Sequence, residues 1–140
     1  YSTVPVVGYD LLSTFADLAG SEGQPPKGIE GGSVKDVLLN GGKGEVRRPR
    51  AGLHFYRPVD SVLIRDGHKL RRTHRTGEIE LYDLSEDLSE ITNLAASKPR
   101  LAKRMQAGLE DWIKEIDATT PSPLDRRPRR NPRAGNRRQP

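Results

Sequence analysis

The dipeptide Asp66-Gly67 constrains this chain more than any other feature of its sequence. A two-residue type I′ turn needs positive φ at both central positions, and Asp-Gly is one of the few pairs that supply it. The flanking apolar residues recur with a period of two. Leu53-His54-Phe55-Tyr56 and Ser61-Val62-Leu63-Ile64-Arg65 precede the turn, and Leu70 follows it. Closing the hairpin at Asp66-Gly67 sets Leu63 opposite Leu70 on one face. A second turn at residues 75–77 leads into Ile79-Glu80-Leu81-Tyr82-Asp83-Leu84. The pattern predicts three or four antiparallel strands.

A sheet with one apolar face needs a cover, and the sequence provides it. Pro99 suits a first helical position and biases Lys98 out of the helix. Leu101, Ala102, Met105, Leu109, Trp112, Ile113 and Ile116 then recur at helical spacing, predicting an amphipathic helix over 99–116. Two shorter helices precede the strands. Leu11, Leu12, Phe15, Leu18 and Ala19 form one stripe, with Asp10 as the expected N-cap and Gly20 as the C-terminal stop. Val34, Val37 and Leu38 form another, with Ser33 and Asp36 as a capping signature and Asn40-Gly41-Gly42 ending it. Residues 21–32 are rich in glycine and proline and are expected to form a loop. The fold class is α+β: a small antiparallel sheet of three to four strands, packed against a long C-terminal helix, with a helical N-terminal segment.

Charge divides the chain. The 140 residues carry 24 basic and 19 acidic groups, but residues 126–140 hold seven arginines and no acid. The body is thus slightly acidic, and the +5 balance belongs to the end. That end is rich in proline and asparagine and has no aromatic residue, so 119–140 is expected to be a disordered basic tail. Without aromatics to stack on bases, nucleic acid is not expected as its partner. No apolar run approaches the ~18 residues of a membrane span, and no membrane partner is expected.

Catalytic patterns are absent from the sequence. Asn40-Gly41-Gly42-Lys43-Gly44 lacks both the earlier glycine and the following Ser/Thr of a phosphate loop, and serves better as a flexible connector. His68 and His74, if on one strand, sit about 20 Å apart and cannot share an ion. Asp83, Glu86, Asp87 and Glu90 lack the central glycine of a calcium loop and are expected to cap local amides. There is no cysteine, hence no thiolate ligand or thiol nucleophile, and no Gly-x-Ser-x-Gly elbow.

The order of segments resembles the C-terminal subdomain of the sulfatases, of the arylsulfatase family within the alkaline-phosphatase-like superfamily. Tyr9-Asp10-Leu11-Leu12-Ser13-Thr14-Phe15-Ala16-Asp17-Leu18-Ala19-Gly20 is similar to the family's D-L-x-P-T-x-x-x-L-A-G helix. Gly28-Ile29-Glu30-Gly31-Gly32-Ser33-Val34 is similar to L-D-G-x-S-L. Leu53-His54-Phe55-Tyr56 follows, and Ile64-Arg65-Asp66-Gly67-His68-Lys69-Leu70 is similar to a-I-R-x-G-x-y-K-L. Most specific is Glu80-Leu81-Tyr82-Asp83-Leu84-Ser85-Glu86-Asp87-Leu88-Ser89-Glu90-Ile91-Thr92-Asn93-Leu94-Ala95, similar to E-L-Y-D-L-x-x-D-P-x-E-x-x-N-L-A. Ser13 and Leu88 stand where the family has proline, and the Asp66-Gly67 hairpin is one residue shorter.

The resemblance implies a hydrolase of sulfate esters whose formylglycine nucleophile and calcium ion lie in a large N-terminal domain. No cofactor is expected in this chain itself. The sequence contains no [Cys/Ser]-x-Pro-[Ser/Ala]-x-Arg motif. The expected organisation is a helix over 1–20 joining from a missing N-terminal sulfatase catalytic domain, a loop and short helix over 21–51, the subdomain over 52–118, and the tail over 119–140. The resemblance further implies a sulfated small molecule or glycan as substrate, and a periplasmic or secreted parent. His54, Arg65 and His68 are expected at the substrate rim, because sites favour loops and strand ends. The alternative is a non-catalytic module that grips a polyanion with its Arg-rich tail.

Overall fold

A computed structural model describes residues 1–21 and 28–119. The tail expected over 119–140 therefore lies, after its first residue, outside the described residues.

The strands form one four-stranded antiparallel meander in the order β1-β2-β3-β4. They are β1 (Leu53–Tyr56), β2 (Asp60–Arg65), β3 (His68–Thr73) and β4 (Ile79–Asp83). The β2–β3 turn has φ of +50° at Asp66 and +72° at Gly67, the two positive values that a type I′ turn demands. Register follows from it: Leu63 pairs with Leu70, and Leu70 with Leu81. These three leucines, with His54 opposite Leu63, line one face of the sheet.

The long helix (Pro99–Thr119) begins at the proline and lays its stripe on that face. Leu63, Leu70, Leu81, Ala102, Met105, Leu109 and Trp112 make the buried core, and Leu101, Ile113 and Ile116 pack around it. Each leucine fully withdrawn from water contributes about 1.5–3 kcal/mol. Pairing and packing thus make 53–116 the main body of the fold. The opposite sheet face buries Leu53, Val62 and Tyr82 and also carries ion pairs. Lys69 bonds Glu90, while Arg71 bridges Asp60 and Glu80.

The two N-terminal helices, α1 (Asp10–Leu18) and α2 (Lys35–Leu39), pack on each other; the long helix is α3. Gly20 ends the α1 segment at φ +86°, as its position predicts. Three expectations about these helices are corrected. Asp10 is the first residue of α1 rather than its cap, and its carboxylate takes the amides of Val7 and Gly32 instead of the helix's own. The α1 stripe does not face the core of this chain. Asp10, Ser13 and Thr14 are buried, while Leu11, Leu12, Phe15 and Leu18 face outward. In α2, Val34 and Val37 are buried but Leu38 is exposed. Ser33 lies one residue before the N-cap position, held by Val34; its hydroxyl accepts from the amide of Lys35, the first residue of α2, and donates to Asp17.

Candidate functional site

The Asp66-Gly67 turn brings the last residue of β2 and the first of β3 to one end of the sheet. There they meet the opening turns of α3. Arg65, Asp66, His68, Leu101, Arg104 and Met105 line a cavity of about 140 Å³ at this corner. Spacing along α3 places Leu101, Arg104 and Met105 together, because residues three and four apart share a helix face. Leu101 and Met105 supply an apolar side; Arg65 and Arg104 supply two guanidinium groups.

His68 is held from three directions. Its Nδ1 lies 2.9 Å from the Asp66 carbonyl, its Nε2 lies 3.3 Å from Lys98 Nζ, and Asp83 Oδ2 is 3.4 Å from Nε2. A carbonyl only accepts, so Nδ1 carries a proton and donates it to Asp66. Lys98 also pairs with Asp83 at 3.5 Å, and Arg65 with Asp66 at 3.4 Å. Ser85 hydrogen bonds hold the Asp83 carboxyl below the usual carboxylate range, burial opposes them, and His68 and Lys98 add to the lowering. Three fixed cations thus face two carboxylates at the corner, an excess of positive charge beside an apolar wall. Guanidinium groups in such a place bind oxyanions bidentately.

Of the three residues expected at the rim, the structure brings Arg65 and His68 together and places His54 apart from their cavity. His54 is nearly buried, its ring 5.1 Å from that of Trp112. Trp112 in turn donates its Nε1 proton to Glu30 at 3.0 Å, tying the N-terminal segment to α3. Burial pushes the His54 pKa down; Arg50 and Arg65 push the same way, and Glu30 opposes them. Sequence reasoning missed Lys98, Arg104 and Asp83. The register carries a signal for one of them, because Asp83 pairs with His68 once the hairpin is set.

Elsewhere the acidic loop behaves as expected: Asp83 accepts from Ser85, and Asp87 from the Thr92 amide. Among the described residues no three His, Cys, Asp or Glu side chains gather as a metal site. With no cysteine and no formylglycine motif in the sequence, the residues present do not fit the calcium or the nucleophile of a sulfatase centre. A larger recess of about 440 Å³ lies beside Asn40, Lys43 and Gly44, with Asp36 and Glu45 balancing Lys43 and Arg47. No helix among the described residues is long and apolar enough to cross a membrane.

This architecture, a four-stranded meander under one long helix, recurs in larger proteins. BT4656, solved with its substrate D-glucosamine-2-N,6-O-disulfate, superposes with a TM-score of 0.57 and 26% identity, over 80% of this chain and 24% of that one. BT1596, a 2-O GAG sulfatase, shares the fold with a TM-score of 0.56 at 22% identity, over 76% of this chain and 24% of its own. No protein-family model matches the chain. A sulfatase of Formosa agariphila is 30% identical over 139 residues, spanning 85% of this chain and 25% of that protein. The fold and these relationships together bear out the resemblance read from the sequence. In sequence and in fold the chain is similar to sulfatases, and it spans about a quarter of the length of the relatives it matches.

Proposed function

We propose that this chain is the C-terminal, non-catalytic portion of a sulfatase acting on sulfated carbohydrate. In this reading the sulfate ester is cleaved by groups in the part of the parent that this chain does not span. The observation that carries it is the relation to sulfatases over one quarter of their length, in a sequence without the nucleophile motif. Arg65, His68 and Arg104 form the rim of the substrate site, and His54 stiffens the wall behind it through Trp112. The two arginines grip anionic groups of the substrate, the Leu101–Met105 side takes a sugar face, and the Asp83–Lys98 pair keeps His68 from swinging. The parent is exported, as its substrate class requires.

Grafting this chain into the 30%-identical relative, in place of the quarter it matches, tests the assignment. The graft is expected to release sulfate from 4-nitrophenyl sulfate and glucosamine 6-sulfate, and the 140-residue chain alone to release none. In the graft, Arg65→Ala or Arg104→Ala is expected to raise KM for the sugar roughly tenfold with kcat within about twofold, the mark of lost binding. Sulfate release by the isolated chain overturns the assignment, as does a folded graft without activity.

A further inference from the structure

Helix α1 is mounted with its faces reversed. Its polar residues Asp10, Ser13 and Thr14 are buried, while Leu11, Leu12, Phe15 and Leu18 are between 48% and 61% exposed. The reversal is built in. Ser13 Oγ donates to the Gly31 carbonyl at 2.8 Å, Thr14 Oγ1 accepts from the Val34 amide at 3.0 Å, and Asp10 accepts from Arg48 and from the Gly32 amide. Rolling the helix to bury its leucines would strip partners from buried polar atoms, which native structures avoid. The apolar face is therefore committed to a cover that the described residues do not provide.

The rest of this chain has little to offer as a cover. Residues 22–27 and 120–140 contain one large apolar side chain, Leu124. A second copy fits poorly too. Four half-exposed side chains make a stripe of about 400 Å², large enough to signal a contact but about half of what each partner buries in a stable association of separate chains. A stripe of that size suffices where both surfaces belong to one polypeptide, because linkage supplies the effective concentration. The likeness to sulfatases supplies such a surface, since three quarters of the relatives' length lies outside the matched region.

Resting on the sulfatase reading above, we infer that the outward face of α1 is the seat on which the remainder of the sulfatase packs. Phe15 and Leu12 are its most exposed members, at 61% and 54%, with Leu11 and Leu18 beside them. The occupant is an apolar surface of the catalytic portion. The seat thus joins the two parts of the enzyme through a helix whose polar side is bolted to this part.

The test uses the graft described above and the 140-residue chain by itself, each carrying Leu12→Glu with Phe15→Glu, or the apolar control Phe15→Leu. We expect the paired glutamates to lower the melting temperature of the graft by several degrees and to reduce its sulfate release. The isolated chain, where both positions face water, should keep its melting temperature within about 1 °C, and the control should behave as wild type in both settings. A folded, active graft that is indifferent to the paired glutamates overturns the inference. So does an isolated chain that dimerises and is dispersed by them, since a second copy then occupies the seat. An unsubstituted graft that folds but releases no sulfate sinks the sulfatase reading instead, and the inference falls with it.

Discussion

Asp10, fully buried, and Arg48, largely covered, form a two-pronged ion pair: Arg48 Nε donates to Oδ1 at 2.9 Å and its Nη2 to Oδ2 at 2.6 Å. Arg48 also donates to the Pro5 carbonyl, so one guanidinium joins the residues before α1, α1 itself and the segment before β1. Asp10→Ala leaves Arg48, itself largely covered, without its counter-charge. We expect a loss of about 3–5 kcal/mol, read as a fall in the urea midpoint at unchanged slope. Arg48→Ala should cost a similar amount, and the double variant clearly less than the sum of the two. Additive losses would show that the pair does not act as a unit.

Acid should undo this protein in two stages of different origin. Burial presses the His54 pKa down, with Arg50 and Arg65 adding to it and Glu30 opposing, so the folded value lies below the ~6.5 of an unfolded chain. Between those values the unfolded chain binds a proton that the folded one refuses. Stability is therefore complete above pH ~6.5 and declines as pH falls below it. At Asp10, burial raises the pKa but the Arg48 bond and the Val7 and Gly32 amides outweigh it, leaving the folded value depressed. Its contribution is present above pH ~4 and is lost as pH falls through the folded value. In a series of melting temperatures against pH, His54→Phe should flatten the segment between pH 7 and 5 and leave the drop below pH 4. A slope between pH 7 and 5 that survives the substitution would remove His54 as its cause.

The hairpin and α3 were legible in the sequence because their signals are local. Asp66-Gly67 needs no tertiary partner to declare a turn, and Pro99 followed by a stripe ending at Ile116 declares a helix and its start. The orientation of α1 was not legible. Periodicity shows that Leu11, Leu12, Phe15 and Leu18 share a side, but not whether their cover belongs to the same chain. The misplacement of Asp10 has the same origin: a carboxylate before a helix suggests a cap, whereas here Arg48, 38 residues away, claims it. The corner site was half visible. Arg65 and His68 flank the turn, but Arg104 and Lys98 reach it only once α3 docks across the sheet. Nor does the sequence place His54 on Trp112, 58 residues further on.

Gly31 is required by contact rather than by backbone freedom. A Cβ there would lie 2.0 Å from the Tyr9 carbonyl oxygen, and the clash is with backbone, which cannot rotate away. Gly31→Ala should cost at least about 1–3 kcal/mol, the range for overpacked interiors, and is expected to push the Gly31 segment away from the start of α1. Gly8→Ala is the matching control, since nothing lies within 4 Å of a Cβ at that position. Chemical denaturation of the two variants should differ accordingly. Equal stabilities would mean that the approach of the Gly31 segment to Tyr9 is not held in solution.

Asp60 and its two arginines allow a comparison of unequal partners. Asp60 is buried and accepts from Arg57 Nε at 2.6 Å, Arg57 Nη2 at 2.7 Å and Arg71 Nε at 2.8 Å. Burial raises its pKa, but the Arg71 and Arg57 bonds prevail and hold it below the usual carboxylate range. Arg57 is more than half exposed, and Arg71 keeps Glu80 at 2.8 Å when Asp60 is removed. Arg57→Ala should therefore cost no more than about 1 kcal/mol, the value of an exposed pair. Asp60→Ala removes the acceptor shared by both arginines at the start of β2 and is expected to cost about 1–3 kcal/mol. The loss on Asp60→Ala should also begin to shrink as pH falls below ~4, where the unfolded chain takes up a proton that the folded carboxylate still refuses, and should shrink further as pH falls through the folded value. Urea midpoints at pH 7 and pH 3.5 measure both differences. A larger loss for Arg57→Ala than for Asp60→Ala would mean that the exposed arginine, not the buried acid, organises this edge of the sheet.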